Sequence, residues 1–158
     1  MSDFSLPSRL RQIPLFTNAA EAQIDMLTRH AVTRRFAPGE TLFIEGDSSA
    51  GLWILENGRV KAYKLSPDGG EYVLRIYGPG ETFNDLAALD GASNAVSVAA
   101  ITSVTAWVIP TPDFAAALAA DHALALAVIQ GLVGRQRRLM LQVEDLALRS
   151  VTARLARF

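Results

Sequence analysis

Six turn signals at nearly constant spacing constrain this 158-residue chain more than any other feature. They are Pro38-Gly39, Gly46-Asp47, Asn57-Gly58, Asp68-Gly69, Pro79-Gly80 and Asp90-Gly91, and after a first gap of eight residues they recur every eleven. Regular turns at that interval mark an all-β sandwich or barrel. The segments between them are rich in β-formers: Leu52-Trp53-Ile54-Leu55, Tyr72-Val73-Leu74-Arg75-Ile76-Tyr77 and Val104-Thr105-Ala106-Trp107-Val108-Ile109. In the second, Tyr72, Leu74 and Ile76 share one face and Arg75 takes the other, so a half-buried antiparallel strand is expected. Asn57-Gly58 and Asp68-Gly69 suit type I′ hairpins, whose two central residues both need φ > 0. The middle of the chain therefore reads as a β-roll.

Helices are expected on both sides. Asn18 followed by Glu21 has the spacing of a capping box, opening a short helix that buries Ala20, Ile24, Leu27 and Ala31. Pro110 and Pro112 close the last strand. From Asp113 to about Ser150 the chain is dense in Ala, Leu and Arg and has no proline, with Asp121 placed to cap the second of two helices. That helix, His122 to Arg149, spans about 40 Å at 1.5 Å per residue, more than a roll of this size needs as cover. Ile129, Leu132, Gln136, Leu139, Val143, Leu146 and Ser150 alternate in steps of three and four, the seam of a parallel coiled-coil dimer with one polar core position. A helix lying flat on the roll would use a wider stripe, adding Val128, Val133, Met140 and Ala147. Both arrangements can hold at once, on different faces.

Composition removes several function classes. There is no cysteine, hence no disulfide, thiolate nucleophile or iron–sulfur site. The formal net charge is −1, which advertises neither nucleic acid nor a membrane surface. Six arginines (Arg135, Arg137, Arg138, Arg149, Arg154, Arg157) stand against only Glu144 and Asp145 near the end. They read as a solvated helix face or a phosphate- or partner-seeking edge. Residues 1–20 lack the pattern of a signal peptide, and the apolar run Phe114–Val133 is broken by Asp121, His122 and Gln130. A cytoplasmic protein is expected. Two histidines far apart cannot build a metal-dependent barrel enzyme, and no nucleophile–base pair or P-loop is present, so the chain is expected not to be an enzyme.

The order of parts resembles the effector domain of the Crp/Fnr transcription regulators. The matching pieces are Ile13-Pro14-Leu15-Phe16, Phe36-Ala37-Pro38-Gly39-Glu40, Glu45-Gly46-Asp47, Leu52 to Val60 and Gly80-Glu81-Thr82-Phe83-Asn84-Asp85. Each piece is largely turn chemistry, and their order and spacing carry the resemblance. It implies a mainly β fold with helices: a double-stranded, jelly-roll-like antiparallel β-roll of the cyclic-nucleotide-binding kind, flanked by short helices and followed by one long dimerisation helix. Residues 1–120 would be the effector-binding roll with its N-terminal helices, and 121–150 the dimerisation helix. Residues 151–158 would begin the junction to a helix-turn-helix domain absent from this chain. The implied partners are a second copy of the chain, a small-molecule effector, and DNA only through that absent domain; no membrane is implied.

The resemblance also locates a phosphate-binding cassette at Gly80–Val98, where a helix N-terminus and an arginine trap the cyclic phosphate. Asn84 or Asp85 is expected to cap a short helix Leu86–Leu89, with Asp85 in place of the family's ribose-binding glutamate. Asn94 stands where the arginine belongs, and no Lys or Arg lies between Arg75 and Arg135 to replace it. Leu139 and Met140 occupy positions where cyclic-AMP binders place hydroxyls against the purine. Cyclic AMP is therefore not the expected effector. The candidate effector residues are Asn84, Asp85, Leu86, Ala87, Leu89, Asn94, Ala95, Val96, Arg135, Leu139 and Met140, with an apolar wall of Leu86, Leu89, Val96, Leu139 and Met140 toward which Arg135 or Arg138 is expected to reach. Alternatives are a stand-alone dimerisation module with a vestigial pocket, or a haem-based gas sensor using His30 or His122, with Met26 and Met140 as further candidates.

Overall fold

The computed structural model describes residues 5–155, with side chains in the last helix described as far as Leu148. The chain begins with α1 (Leu6–Gln12), a 3-10 turn (Pro14–Phe16) and α2 (Glu21–Thr28). It then forms β1 (Val32–Phe36), β2 (Thr41–Phe43), β3 (Gly51–Asn57), β4 (Val60–Leu65), β5 (Glu71–Tyr77) and β6 (Thr82–Phe83). A short helix α3 (Asp85–Asp90) precedes β7 (Ser97–Ala100) and β8 (Val104–Pro110), and α4 (Thr111–Ala120) and α5 (His122–Leu155) follow. The eight strands make two four-stranded sheets, ordered β1-β8-β3-β6 and β2-β7-β4-β5, with every pairing antiparallel.

The apolar run of β3 is explained by two cores. Trp53 and Leu55 point into the roll, against Val60, Phe83, Val98 and Val104. Leu52 and Ile54 point the other way, onto Leu10, Ile24, Phe114, Leu124 and Val128 of the helical layer. A strand buried on both faces has no polar side to alternate with. Inside the roll, the Trp53 ring stacks on Phe83 with centroids 5.8 Å apart and leans on Phe43 at 5.6 Å.

All six predicted turns carry a glycine in the left-handed region, with φ between 70 and 88°. The hairpin type differs from expectation. Neither Asn57 nor Asp68 has positive φ, so neither turn is type I′. Asn57-Gly58 is a corner between the two sheets, and a Cβ at Gly58 would come within 2.2 Å of the Ser103 carbonyl oxygen. The Asp68-Gly69 loop closes through Gly69 N–H to Ser66 O at 2.9 Å and Ser66 N–H to Gly70 O at 2.8 Å. That is a three-residue loop ending in a left-handed glycine.

Two local expectations are corrected. The N-cap of α2 is Ala20, whose N–H donates to Gln23 Oε1 at 2.8 Å. Asn18 instead donates to Gln130 Oε1 on α5 at 3.1 Å. Ile24 and Leu27 are buried, Ala31 is half-buried and Ala20 is exposed. The second correction concerns β5. Tyr72, Leu74 and Ile76 are all exposed, Tyr72 at 67%. β5 is the edge of its sheet, and alternation in a strand says which residues share a face, not whether a second layer covers it.

Asp121 caps α5 as expected, its Oδ1 accepting the Leu124 N–H at 2.9 Å and the Gln23 side-chain N–H at 3.0 Å. At this corner α4 and α5 meet at 113°. Leu124, Ala127 and Val128 are buried, and at Gly131 the helix crosses the 3-10 turn so closely that a Cβ would lie 2.7 Å from Leu15 Cα. Beyond that crossing α5 leaves the roll. Val133, Met140 and Ala147 are exposed, so the flat-lying arrangement holds only for its first turns. The helix continues unbroken past Arg149 and Ser150 to Leu155, about 51 Å at 1.5 Å per residue. The expected junction thus begins inside a helix, and its last three residues, 156–158, lie outside the described ones. Among the described residues no single helix is long and apolar enough to cross a membrane.

Two outcomes follow. Gly131→Ala gains about 1 kcal/mol of helix propensity but drives a methyl into backbone, a clash costing about 1–3 kcal/mol; thermal denaturation should show a Tm lowered by a few degrees. The Leu124 N–H, followed by the Gln23 amide, holds the Asp121 carboxyl below its ordinary value of 3.8. A depressed carboxyl stabilises the fold above its unfolded pKa and loses that contribution as pH falls through its folded one. Asp121→Asn keeps the cap and cannot ionise, so its Tm deficit at neutral pH should close below pH 3.8.

Candidate ligand-binding site

The segment from Asn84 to Asn94 folds around two side-chain amides. Asn84 precedes α3 with φ 61° and ψ 24°, and its side chain makes no cap hydrogen bond. Its Nδ2 donates instead to Asn94 Oδ1 at 3.0 Å, Ser49 Oγ at 3.1 Å and Gly51 O at 3.3 Å. Asn94 is 2% exposed and every polar group it has is engaged. Its Nδ2 donates to Ile44 O at 3.1 Å, its N–H donates to Asp47 O at 2.9 Å, and its carbonyl accepts the Gly46 N–H at 2.9 Å. At the position expected of the arginine, the chain therefore has a structural tie between the β2–β3 loop and α3. Asn94 lines neither of the clefts described below.

Asp85, the first residue of α3, is 6% exposed and forms an ion pair with Arg135 of α5. Its Oδ1 also accepts the Leu86 N–H at 3.1 Å. The pair joins the short helix to the long one, one turn past the Gly131 crossing. Beside it a cleft of about 430 Å³ opens between the 3-10 turn, the β5–β6 loop and α5. Ile13, Pro14, Leu15 and Leu139 give it apolar wall, and Arg75, Glu81, Asp85, Arg135 and Arg138 give it charge. Arg75 pairs with Glu81 at 2.8 Å and lies 4.7 Å over the Tyr77 ring. Burial pushes the Tyr77 phenol above its ordinary pKa, against the lowering pull of Arg75 and Arg135. A second, more apolar cleft of about 390 Å³ lies between Leu86 and the α5 residues Leu132, Val133, Arg135, Gln136 and Leu139.

The expected site residues are thus partly brought together. Asp85, Arg135 and Leu139 share the first cleft; Leu86, Arg135 and Leu139 share the second. The single apolar wall does not form. Leu89 packs with the helix-side core, Val96 against the interior of the roll, Ala87 is buried, Ala95 is exposed, and Met140 is exposed and lines neither cleft. Arg138, expected to reach toward the apolar wall, lines the first cleft, while Arg75 and Glu81 were missed as site residues. Arg75 and Arg135 bound the cation-free stretch in sequence, and folding brings both to one cleft. His30 faces Asp113 at 3.6 Å, His122 is exposed, and Met26 packs on the helix-side core. Neither histidine lines either of these two clefts. Among the described residues no group of three or more metal-ligating side chains gathers.

Residues 33–121 match the family model for the cyclic nucleotide-binding domain. A CRP-like cAMP-activated global transcriptional regulator from Mycobacterium tuberculosis is 28% identical over 148 residues, covering 94% of this chain and 66% of that protein. The transcriptional regulator LdrP of Thermus thermophilus is 30% identical over 125 residues, covering 79% and 60%. The chain therefore spans less than two thirds of these relatives. The solved N-terminal domain of a transcriptional regulator from Streptomyces coelicolor superposes with a TM-score of 0.75 at 29% identity, covering 85% of this chain and 94% of that one. Roll, cassette, long helix and these likenesses agree: the chain belongs to the cyclic nucleotide-binding domain family, in the form carried by the sensor domains of Crp/Fnr-type regulators.

Proposed function

We propose that the chain is the ligand-sensing and dimerisation part of a Crp/Fnr-type transcription regulator, without catalytic activity and with an effector other than cyclic AMP. The observation that carries this reading is the Asp85–Arg135 pair, which ties the cassette helix directly to the helix that leaves the roll. Whatever enters the adjoining cleft meets both elements at once, so binding shifts α5 against the roll and passes the change to a DNA-binding part of the regulator. Such coupling is worth about 1–3 kcal/mol. Against cyclic AMP stand the buried, fully bonded Asn94 in place of a phosphate arginine and the apolar Leu139 and Met140.

In this reading residues up to Ala120 form the sensing roll and α5 pairs with a second copy. The seam Ile129, Leu132, Gln136, Leu139, Val143 and Leu146 supports the pairing: all but the half-buried Leu132 are exposed, Leu146 at 67%. An apolar stripe of this length on a projecting helix is stable when a like helix covers it. One observation favours the rival reading, a dimerisation module with a vestigial pocket. Asp85 and Arg135 already satisfy each other, so the cleft needs no ligand to neutralise its buried carboxylate.

Light scattering on a sizing column should return a dimer for the parent chain and a monomer for Val143→Glu, whose exposed position spares the fold. A dimer that survives Val143→Glu rules out this seam. Calorimetric titration with cyclic AMP should give no binding at micromolar protein, and tight binding there would return the site to the ordinary family effector. Arg135→Gln leaves a buried carboxylate unpaired and should cost about 2 kcal/mol, discounted here because the Arg135 side chain is 41% exposed. Adding Asp85→Asn should recover about 1 kcal/mol in a double-mutant cycle.

A further inference from the structure

The charges around the 430 Å³ cleft do not cancel. Three guanidinium groups, Arg75, Arg135 and Arg138, face it with two carboxylates, Glu81 and Asp85. Two of the arginines are spoken for, Arg75 by Glu81 and Arg135 by Asp85. Among the described residues no ion pair or hydrogen bond engages Arg138. Arg135, Arg138 and Gln142 are spaced i, i+3 and i+7, so they line one face of α5, and that face is the one turned to the cleft. The opposite wall, Ile13, Pro14 and Leu15, is apolar and belongs to the turn against which Gly131 is locked.

From this juxtaposition we infer that the cleft binds a small organic monocarboxylate, with Arg138 as the anchor of its carboxylate and the Ile13–Leu15 turn as the seat of its apolar body. The inference rests on reading this cleft as the effector site, and it names the effector's class. One surplus positive charge matches one negative charge. A guanidinium offers a planar pair of donors to a carboxylate, and Gln142 and Thr82 line the same cleft with further donors and acceptors. A doubly charged phosphate would gain from Arg138 but meet Glu81 and Asp85 across the same space. The volume falls within the roughly 300–1,000 Å³ of small-molecule sites. The anchor and the apolar seat lie outside the Gly80–Val98 segment expected to hold a phosphate, since Arg138 comes from α5 and Ile13–Leu15 from the N-terminal turn, while Gly80, Glu81, Thr82 and Asp85 of that segment line the same cleft.

The test uses the whole chain with 3-phenylpropionate, its uncharged amide, inorganic phosphate and cyclic AMP at matched ionic strength, read by thermal shift and calorimetry. The acid should raise Tm in proportion to ln(1 + [L]/Kd), while the amide and phosphate should not. Arg138 is exposed, so Arg138→Ala should fold like the parent and bind the acid at least ten-fold more weakly. Arg138→Lys, which keeps the charge and loses the fork, should fall between. The inference is overturned if acid and amide bind alike, or if Arg138→Ala binds the acid as tightly as the parent. If the acid fails and cyclic AMP binds parent and Arg138→Ala equally, the carboxylate assignment is lost and the sensor reading stands only with cyclic AMP as its effector. If no probe shifts Tm, the assignment is lost and the vestigial-pocket reading gains.

Discussion

The crossing of α5 over the Pro14–Phe16 turn at Gly131 is the contact on which the rest of the site depends. With no side chain at that position, helix backbone meets turn backbone, and close packing of two rigid elements leaves little freedom in direction. The crossing sets the angle at which α5 leaves the roll. Arg135 then falls one turn further on, over Asp85. Arg138 and Gln142 follow on the same face and complete the cleft, while the stripe through Leu139, Val143 and Leu146 turns outward. A bulky residue at 131 would alter all three at once, because they are successive positions on one helix.

The segment from Asn84 to Asn94 is built around a buried neutral amide rather than a buried charge. A buried arginine needs an anion beside it, and without one its desolvation is expensive. Asn94 removes that requirement. Its amide is neutral, and its neighbours Asn84, Ile44, Asp47 and Gly46 give each of its four polar atoms a hydrogen-bond partner. A fully satisfied buried amide network is rigid and specific, so the cassette is shaped without a ligand's help. The remaining charge then lies on the α5 side, at Asp85 and the arginines around it. The charges that line the cleft and the pair that fixes α5 against α3 are thereby placed in the same group of residues.

Much of this could be read from the residues alone, and the failures have a common cause. The six glycine turns and the two-helix corner at Asp121 are local matters of backbone conformation and capping, and the structure shows them where the residues placed them, while α5 runs on to Leu155, past its expected end at Arg149. Asn57-Gly58 was misread as a type I′ turn because it turns a corner between sheets, and Asp68-Gly69 because its loop has three residues and only the glycine takes positive φ. Burial of Tyr72, Leu74 and Ile76 was misread because alternation reports a face, while cover depends on which strand lies at the edge. The apolar wall was misread because Leu89 and Val96 are near Leu86 in sequence but point into two different cores.

The residues by themselves determined a roll of short strands and a long helix, because both are written in local spacing and side-chain chemistry. Tertiary structure alone decided which charges meet. Arg75, Arg135 and Arg138 come from a strand and a helix some sixty residues apart, and only the approach of α5 to the roll sets them around one cleft with Glu81 and Asp85. Electrostatic interactions act over ångströms in space, so no pattern along the chain could have revealed that group before the fold assembled it.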